Sequence, residues 1–362
     1  MTDEIRGCDG VFSVEDKRLI LEHTARLWEP LRGRRVFITG GTGFFGKWLL
    51  QSFAWANREF DLRAQAVVLS RNWQSFAAKA AQLAADPAIS AHAGDVRDFV
   101  FPSGHFSHVI HGATESSAKL YDENPLLMLD TIVQGTRHTL DFARQCEAET
   151  FLLCSSGAVY GRQPPELSHV PEDYRGGPDV SDPRSAYGEG KRTAEHLCTL
   201  YAGQYGMAAK IARGFAFVGP GLPLDAHFAI GNFIRDALGG GPIVVRGDGT
   251  PLRSYLYAAD LAIWLWTILL QGASCRPYNV GSEEAISIAE LAQQAADCVQ
   301  PRPEVRILQS PTPGKPAERY VPKCERAGTE LMLRQRVNLR QAIERTIQWH
   351  VARGHVARGG AD

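Results

Sequence analysis

The sequence predicts an α/β fold built on a doubly wound parallel sheet, with a smaller C-terminal domain interleaved with it. Three observations point there. Short apolar, β-branched runs alternate with helical segments from residue 35 to about residue 160. The first such run leads at once into four closely spaced glycines and then a helix. At 362 residues, 44% hydrophobic and 22% charged, the chain has material for one large or two medium domains with a substantial core.

Residues 1–33 precede the sheet as an N-terminal extension. Within it, residues 14–31 are expected to form an amphipathic helix with Leu19, Ile20, His23, Leu27 and Leu31 near one face. Such a helix would pack on the domain or on a partner subunit.

Residues 34–217 are the expected dinucleotide-binding domain. It opens on RVFITGGTGFFGKWLLQ, residues 35–51. Residues 35–39 read as a buried strand and residues 47–53 as a helix. Gly40 supplies the positive φ of a tight turn. Gly43 has no Cβ, so a pyrophosphate can approach the backbone, and Gly46 lets the helix pack closely on the strand. Thr42, Phe44 and Phe45 complete the candidate cofactor loop, whose helix N-terminus offers free N–H groups and partial positive charge. The spacing is G-x-x-G-x-x-G, and this stretch alone also fits a glycine-rich loop with no ligand.

The second strand covers residues 64–69 and ends at Ser70-Arg71-Asn72. An acidic residue here would accept from the adenosine ribose and favour NAD. None is present, and Ser70 and Arg71 can instead hold a 2′-phosphate, which favours NADP(H). A solvent-facing arginine is the alternative. A helix over residues 73–85 and a third strand over 88–93 lead to Gly94-Asp95-Val96. There Asp95 is either a partner for the adenine amino group or a turn residue. The fourth strand, residues 109–113, ends in Gly112 and Ala113, small residues where a cofactor lies in such sheets. A long helix over 124–146 and a fifth strand over 151–154 follow, the strand running into SSGAVYG.

Residues 162–183, rich in proline, glycine and acids, form a loop over the carboxyl ends of the strands. A helix over 185–205 carries Tyr187-Gly188-Glu189-Gly190-Lys191, and residues 208–212 give a sixth strand. Residues 218–362 make most of the expected substrate-binding domain. Its landmarks are a helix over 228–238, a short strand at 243–245, and residues 253–257. Then come a buried helix after Asp260 as N-cap, a helix capped near Ser287, a proline-rich crossing at 301–318, and a closing helix over 338–353.

Composition narrows the class. A formal net charge of −1 advertises neither nucleic acid nor an anionic membrane surface. The seven cysteines include no C-x-x-C pair and read as reduced thiols of a cytoplasmic protein, with no metal site. The apolar run at 261–270 is too short to span a bilayer, and the N-terminus lacks the pattern of a signal peptide.

The candidate chemistry lies in Ser156, Tyr187 and Lys191. Tyr187 and Lys191 are four apart on one helix face. A nearby ammonium is expected to lower the tyrosine's pKa from about 10. Such a phenol exchanges a proton with a hydroxyl or carbonyl as hydride moves. Ser156, at the end of the adjacent strand, is placed to bind the same oxygen.

Together the motifs GGTGFFG, SSGAVYG, YGEGK, Gly219-Pro220, GDGTPLRSYLYAADL and YNVGS resemble those of the extended short-chain dehydrogenase/reductases that act on nucleotide sugars. The resemblance runs from about Arg34 to His350. It implies a Rossmann domain, NAD(P), a nucleotide-sugar substrate, and Ser156, Tyr187 and Lys191 as the catalytic trio. Lys191 would also hold the nicotinamide ribose. Ser116, Asn232 and Arg253 are the candidate substrate-binding residues. By the resemblance, Arg253 binds the nucleotide diphosphate and Asn232 lies near the same phosphates. A homodimer through the helices over 124–146 and 185–205 is implied as well.

The segment from Val159 to Leu197 looks most like UDP-glucuronate decarboxylases, but they carry a glutamate two before the tyrosine of VYG, where this chain has Ala158. Dehydratases carry an Asp-Glu pair where Gly157 and Ala158 stand. Ala216 and Ile132 replace asparagines found in many members. The resemblance therefore implies an epimerase-type reaction with a retained cofactor, or an NADPH-dependent 4-keto-sugar-nucleotide reductase. A decarboxylase lacking the usual glutamate and a non-catalytic cofactor-binding protein are the further readings, the intact trio speaking against the last.

Overall fold

The computed structural model describes residues 12–114, 123–226 and 228–354. Its framework comprises α1 (Val14–Thr24), β1 (Arg35–Thr39), α2 (Phe44–Glu59), β2 (Gln65–Ser70), α3 (Trp73–Lys79), α4 (Ala81–Ala84), β3 (Ile89–Ala93) and β4 (His108–His111). Next come α5 (Pro125–Gln145), β5 (Thr150–Ser156), α6 (Ala186–Tyr205), β6 (Ala208–Gly214) and β7 (Phe217–Val218). The C-terminal part holds α7 (Ala229–Leu238), β8 (Ile243–Val245), β9 (Leu252–Arg253), β10 (Leu256–Tyr257) and α8 (Ala258–Gln271). It ends with β11 (Pro277–Val280), β12 (Ile286–Ser287), α9 (Ile288–Ala296), β13 (Val305–Ile307), β14 (Arg319–Tyr320), α10 (Glu325–Leu331) and α11 (Leu339–Ala352).

Seven strands form the main sheet in the order β11-β6-β5-β4-β1-β2-β3, every neighbouring pair parallel. The order reverses between β1 and β4, which opens a crevice at their carboxyl ends. Alternate residues feed opposite faces: Ile38 joins one buried cluster with Trp48 and Phe53, and Phe37 joins another with Val109 and Phe142. β11 arrives after more than sixty residues of other structure and pairs with β6 in register, Val280 opposite Gly214. The C-terminal region thus returns to the first sheet. Phe217, the last residue of the expected dinucleotide-binding domain, lies on β7, which pairs with β10 outside the main sheet.

The N-terminal helix is shorter than its pattern suggested. It ends at Thr24, whose hydroxyl donates back to the Ile20 carbonyl at 2.6 Å and accepts from Trp28 Nε1 at 3.0 Å. A 3₁₀ turn holding Pro30 follows. The buried face of the helix is Asp16, Ile20 and Thr24; of the expected stripe Ile20, Leu27 and Leu31 are buried, Leu19 is half-buried and His23 is exposed. Asp16 is buried and accepts from Tyr257 Oη at 3.0 Å and Arg345 Nη1 at 3.1 Å, which fastens the extension to β10 and α11. Burial pushes its carboxyl above the usual range.

Asp260 is not an N-cap. α8 starts two residues earlier, at Ala258, and the Asp260 carboxylate accepts the backbone N–H groups of Arg336 and Val337 at 3.0 and 3.1 Å. It anchors a distant loop rather than its own helix. The expected helix over 73–85 is broken at Ala80, whose φ of −143° separates α3 from α4. Ser287 and Asn338 do cap α9 and α11, each through a capping box.

Candidate active site

The glycine loop lies at the β1–β4 crevice. Gly40 has φ +73°, and a Cβ there would meet the Gly112 and Ala113 backbone at 2.5–2.6 Å. Its absence lets the ends of β1 and β4 close on each other. The approach is pinned by Thr39 Oγ1, which accepts the Ala113 N–H at 3.1 Å and pairs with His111 Nδ1 at 2.9 Å. Gly46 also fills a tight place, but the neighbour is the loop itself: a Cβ would meet the Gly41 backbone at 2.3 Å. α2 begins at Phe44, earlier than expected, behind Gly43 as N-cap with no side-chain cap and no acidic residue in its first turn. The N–H groups of that turn are therefore left for an anion. Glycines without side chains, an uncapped helix start and no competing carboxylate fit a dinucleotide pyrophosphate.

At the other end of this crevice, Ser70 Oγ accepts the Asn72 N–H at 3.2 Å. Arg71 is exposed and pairs with Asp95 at 3.9 Å. Asp95 is held mainly by Arg97, through its Nε at 2.8 Å and its N–H at 3.0 Å, and this guanidinium keeps the carboxyl below the usual range. Of the two expected uses of Asp95, the turn role is the one made within the chain. Val96 is buried against Gly135. Ser116 lies outside the described residues.

Ser156, Tyr187 and Lys191 come together at the end of β5. Lys191 is buried, and its Nζ donates to the Cys154 carbonyl at 2.9 Å and lies 5.8 Å from the Tyr187 ring centre. Burial lowers the lysine's pKa to about 8. Tyr187 behaves differently from the expectation. Burial raises its pKa, and the group that opposes the rise is the hydrogen bond from Ser156. Burial of the phenol, which the four-residue spacing to Lys191 does not reveal, sets the direction.

A buried polar network braces this corner. Ser155 Oγ donates to Glu195 Oε1 at 2.6 Å, and Arg213 grips Glu195 at 2.6 and 2.9 Å. Arg213 Nη1 reaches Tyr160 Oη at 2.8 Å, which donates to Asn279 Oδ1 at 2.7 Å, while the Asn279 N–H binds Glu172 at 3.0 Å. The network ties β5, α6, β6 and β11 around Ser156. Its signal in the sequence was the Glu195 position one turn after Lys191 and the Tyr160 and Asn279 of SSGAVYG and YNVGS.

The substrate side holds a residue that sequence reasoning missed. Tyr320, on β14, packs its ring on Phe215 with centroids 4.7 Å apart and brings its hydroxyl beside Gly157. Its strand pairs with β9 so that Tyr320 is opposite Arg253. A Cβ on Gly157 would lie 2.7 Å from Tyr320 Oη and from Phe215. The room that a carboxylate-bearing side chain would occupy at that position is filled by these two rings. Arg253 is half-buried, with Nη1 on the Leu252 carbonyl at 2.9 Å. Asn232 stands apart on α7, where its Oδ1 accepts from Arg235 at 3.0 Å. Ala216 lies between Phe215 and β7, and Ile132 packs against Gly190 of α6.

Among the described residues no group of three or more His, Cys, Asp and Glu is placed to hold a metal ion. The six described cysteines are free thiols. No helix of the described residues is long and apolar enough to cross a membrane.

A doubly wound sheet with an anion-binding glycine turn at its switch point defines a dinucleotide-binding enzyme. The model of the NAD dependent epimerase/dehydratase family matches residues 36–281, and the chain belongs to that family. UDP-glucuronic acid decarboxylase 6 of Arabidopsis thaliana is 29% identical over 309 residues, 85% of this chain and 86% of that protein. UDP-glucuronic acid decarboxylase 1 of Danio rerio is 32% identical over 241 residues, 67% of this chain and 56% of that protein. Among solved structures, a dTDP-glucose 4,6-dehydratase from Streptomyces venezuelae with NAD bound superposes with a TM-score of 0.74 at 24% identity, covering 89% of this chain and 98% of that one. A UDP-glucuronic acid 4-epimerase from Bacillus cereus gives 0.74 at 20% identity, with 87% and 98% covered. At those identities the superpositions speak for the fold.

Proposed function

We propose that this chain modifies a nucleotide sugar by NAD(P)-dependent hydride transfer at the sugar C4, in an epimerase-type reaction with a retained cofactor. The observation that carries this reading is the meeting of Ser156, Tyr187 and Lys191 at one strand end, followed by Gly157 and Ala158 rather than by acids. Hydride exchange at a carbinol carbon needs one proton-transfer group and one hydrogen-bond donor, and the trio contains both. Elimination across C5 and C6 needs a further acid and base, which positions 157 and 158 do not offer. The sugar-nucleotide substrates in the names of the relatives support the substrate class.

In this reading Gly40, Thr42, Gly43, Phe44, Phe45 and Gly46 hold the pyrophosphate, and Asp95, Val96 and Ala113 line the cofactor crevice. Lys191 holds the nicotinamide ribose. Ser70 and Arg71 favour NADP(H). The nicotinamide, when bound, supplies the hydride acceptor and donor. Tyr187 takes the proton of the C4 hydroxyl and returns it, while Ser156 binds the same oxygen. Arg253, with Asn232 and Ser116, takes the nucleotide diphosphate side. The exposed Leu126, Leu200 and Tyr205 on α5 and α6 suit a homodimer through those helices, and the free thiols suit the cytoplasm.

Two other reactions remain distinct outcomes of one experiment. The full chain is incubated with UDP-glucose and UDP-glucuronic acid, and products are read by NMR and mass spectrometry. A C4 epimer with no net change in nicotinamide absorbance is expected. Net NADPH consumption with a 4-keto sugar would make it a reductase, the reading that Ser70 and Arg71 support. Release of CO₂ would make it a decarboxylase, the reading that the relatives' names support. Tyr187→Phe is expected to lower turnover by about 10²–10⁴-fold. Full turnover in that variant refutes hydride chemistry through Tyr187.

A further inference from the structure

The N-terminal extension grips both halves of the proposed site at once. Asp16 of α1 is buried, and its carboxylate accepts from Tyr257 Oη at 3.0 and 3.1 Å and from Arg345 Nη1 at 3.1 Å. Phe12, just ahead of α1, lies flat on Trp48 of α2, with ring centroids 3.7 Å apart and planes 8° from parallel. Trp48 in turn meets the Tyr257 ring edge-on at 5.9 Å, and its Nε1 donates to the Pro220 carbonyl at 3.0 Å. Two side chains of the extension thus hold one aromatic of the cofactor helix and one of the substrate half. The extension precedes residue 36, where the family match begins.

Tyr257 belongs to the strand pair that presents Arg253. β9 and β10 are two residues each, and so are β12 and β14, which flank β9. Strands this short exchange few backbone bonds, so side-chain anchors at their ends carry weight. β10 is fixed to β7 with Tyr257 opposite Val218, and the Leu256 N–H donates to the Ala216 carbonyl at 3.0 Å. Directly after β7, the 219–221 turn presses on the same corner. A Cβ on Gly219 would meet Ala258 at 2.6 Å, and Lys47 Nζ reaches the Gly221 carbonyl at 3.5 Å. One connection from α2, whose first turn is left open for an anion, to the strands bearing Arg253 therefore runs through Trp48 and Tyr257, and Phe12 and Asp16 hold it. All four side chains are buried. Losing either donor leaves part of a buried carboxylate unsatisfied, so the grip of Asp16 is not optional.

We propose that Asp16 and Tyr257 are positioning residues for the nucleotide end of the substrate: the extension sets where Arg253 stands relative to the cofactor helix, so that the substrate diphosphate and the nicotinamide are held at a fixed spacing. The role rests on the reading of Arg253 as the diphosphate ligand. It gives residues 12–24 a part in substrate binding, where their amphipathic pattern alone spoke only of packing.

Binding and hydrogen exchange test this on the full chain. Tyr257→Phe keeps the ring on Trp48 and removes only the hydroxyl that meets Asp16. It is expected to raise the Kd for UDP about three- to tenfold, with the Kd for NAD(H) within about twofold. An unchanged Kd for UDP overturns the proposal. So does an equal loss for both ligands, because general loosening of the fold would weaken both. Asp16→Asn keeps the volume and removes the charge that Tyr257 and Arg345 share. It should weaken UDP in the same selective way, and Asp16→Asn with Tyr257→Phe should lie within about twofold of the weaker-binding single variant. Effects that multiply overturn the proposal. Amide exchange read by mass spectrometry supplies the arm that needs no ligand. In Tyr257→Phe, peptides covering 216–222 and 252–257 should exchange about threefold faster or more, while those of β1 and β4 keep their rates. No local change, or the same acceleration everywhere, overturns the proposal. Should the native chain fail to bind UDP, the nucleotide-sugar reading falls, and the exchange pattern alone decides whether the extension holds β9 and β10.

Discussion

The cofactor crevice and the substrate pocket are built by different means. The pyrophosphate end of the crevice is made by backbone close to itself in sequence: Gly40 to Gly46 supply the turn and the uncapped start of α2, and Gly112 and Ala113 close on it from β4. The pocket is made by side chains from four elements and one loop, with Ser156, Tyr187, Phe215, Arg253 and Tyr320 drawn from a span of 165 positions. A backbone site tolerates little change in residue type at each position. A side-chain site can change its chemistry by one substitution, provided that its brace holds.

The brace is therefore where the pocket is most fragile. Glu195 and Arg213 are an almost buried ion pair, their side chains 11% and 13% exposed, and the pair carries Ser155 and Tyr160 with it. Removing one charge leaves the other buried without compensation. Arg213→Met is expected to lower stability by about 3–5 kcal/mol, and Arg213→Met with Glu195→Met should recover most of that loss. Chemical denaturation reads both. A single variant within about 1 kcal/mol of the native chain would show that the brace is not carrying the corner.

On the crevice side the corresponding variant is Gly40→Ala. The residue must hold φ +73° and its new Cβ must meet backbone at 2.5 Å. Left-handed strain and overpacking together are expected to cost about 2–4 kcal/mol, and dinucleotide affinity should fall with the loop displaced. Full affinity in the folded variant would contradict the fit of the loop to a pyrophosphate. The comparison predicts that Gly40→Ala damages cofactor binding more than the paired methionines do, because their brace does not touch the crevice.

This contrast also explains what the sequence could tell. The α/β class and the parallel order follow from local patterns, since each strand and helix is recognisable within some ten residues. Ser156, Tyr187 and Lys191 were legible because helix periodicity and strand-end position are local. Tyr320 was not, because its place depends on the pairing of two-residue strands β9 and β14 and on the missing Cβ of Gly157. Asp260 misled for a similar reason: an acid before an apolar helix looks like a cap, whereas its partners lie 76 and 77 positions away. Tyr187 misled on sign, because proximity to Lys191 in sequence does not say how deeply the phenol is buried, and burial raises it.

Acid should expose a weakness of the sheet beneath the crevice. Burial lowers His108 to about 4 and His111 to about 3, from 6.5. The unfolded chain takes up these protons below pH 6.5 while the folded chain refuses them. Stability from the neutral imidazoles is therefore complete above about 6.5 and is lost as pH falls toward 4 and 3. Urea midpoints measured from pH 7.5 to 4 should decline, and His108→Gln should flatten the decline relative to the native chain. An equal slope in both would assign the acid sensitivity to carboxylates instead.

The smallest expected effect is at Arg71, at the far end of the crevice. Its guanidinium lies 3.9 Å from Asp95, which Arg97 holds at 2.8 Å, and in the proposed reading it binds a 2′-phosphate. A guanidinium–phosphate pair at an exposed site is worth about 1 kcal/mol or slightly more. Arg71→Ala should raise the Kd for NADP(H) about tenfold and leave that for NAD(H) within about twofold. Fluorescence titration with both dinucleotides measures the difference. Equal weakening would remove Arg71 from cofactor choice and return the crevice to what its backbone alone dictates, a pyrophosphate site that reads no 2′ group.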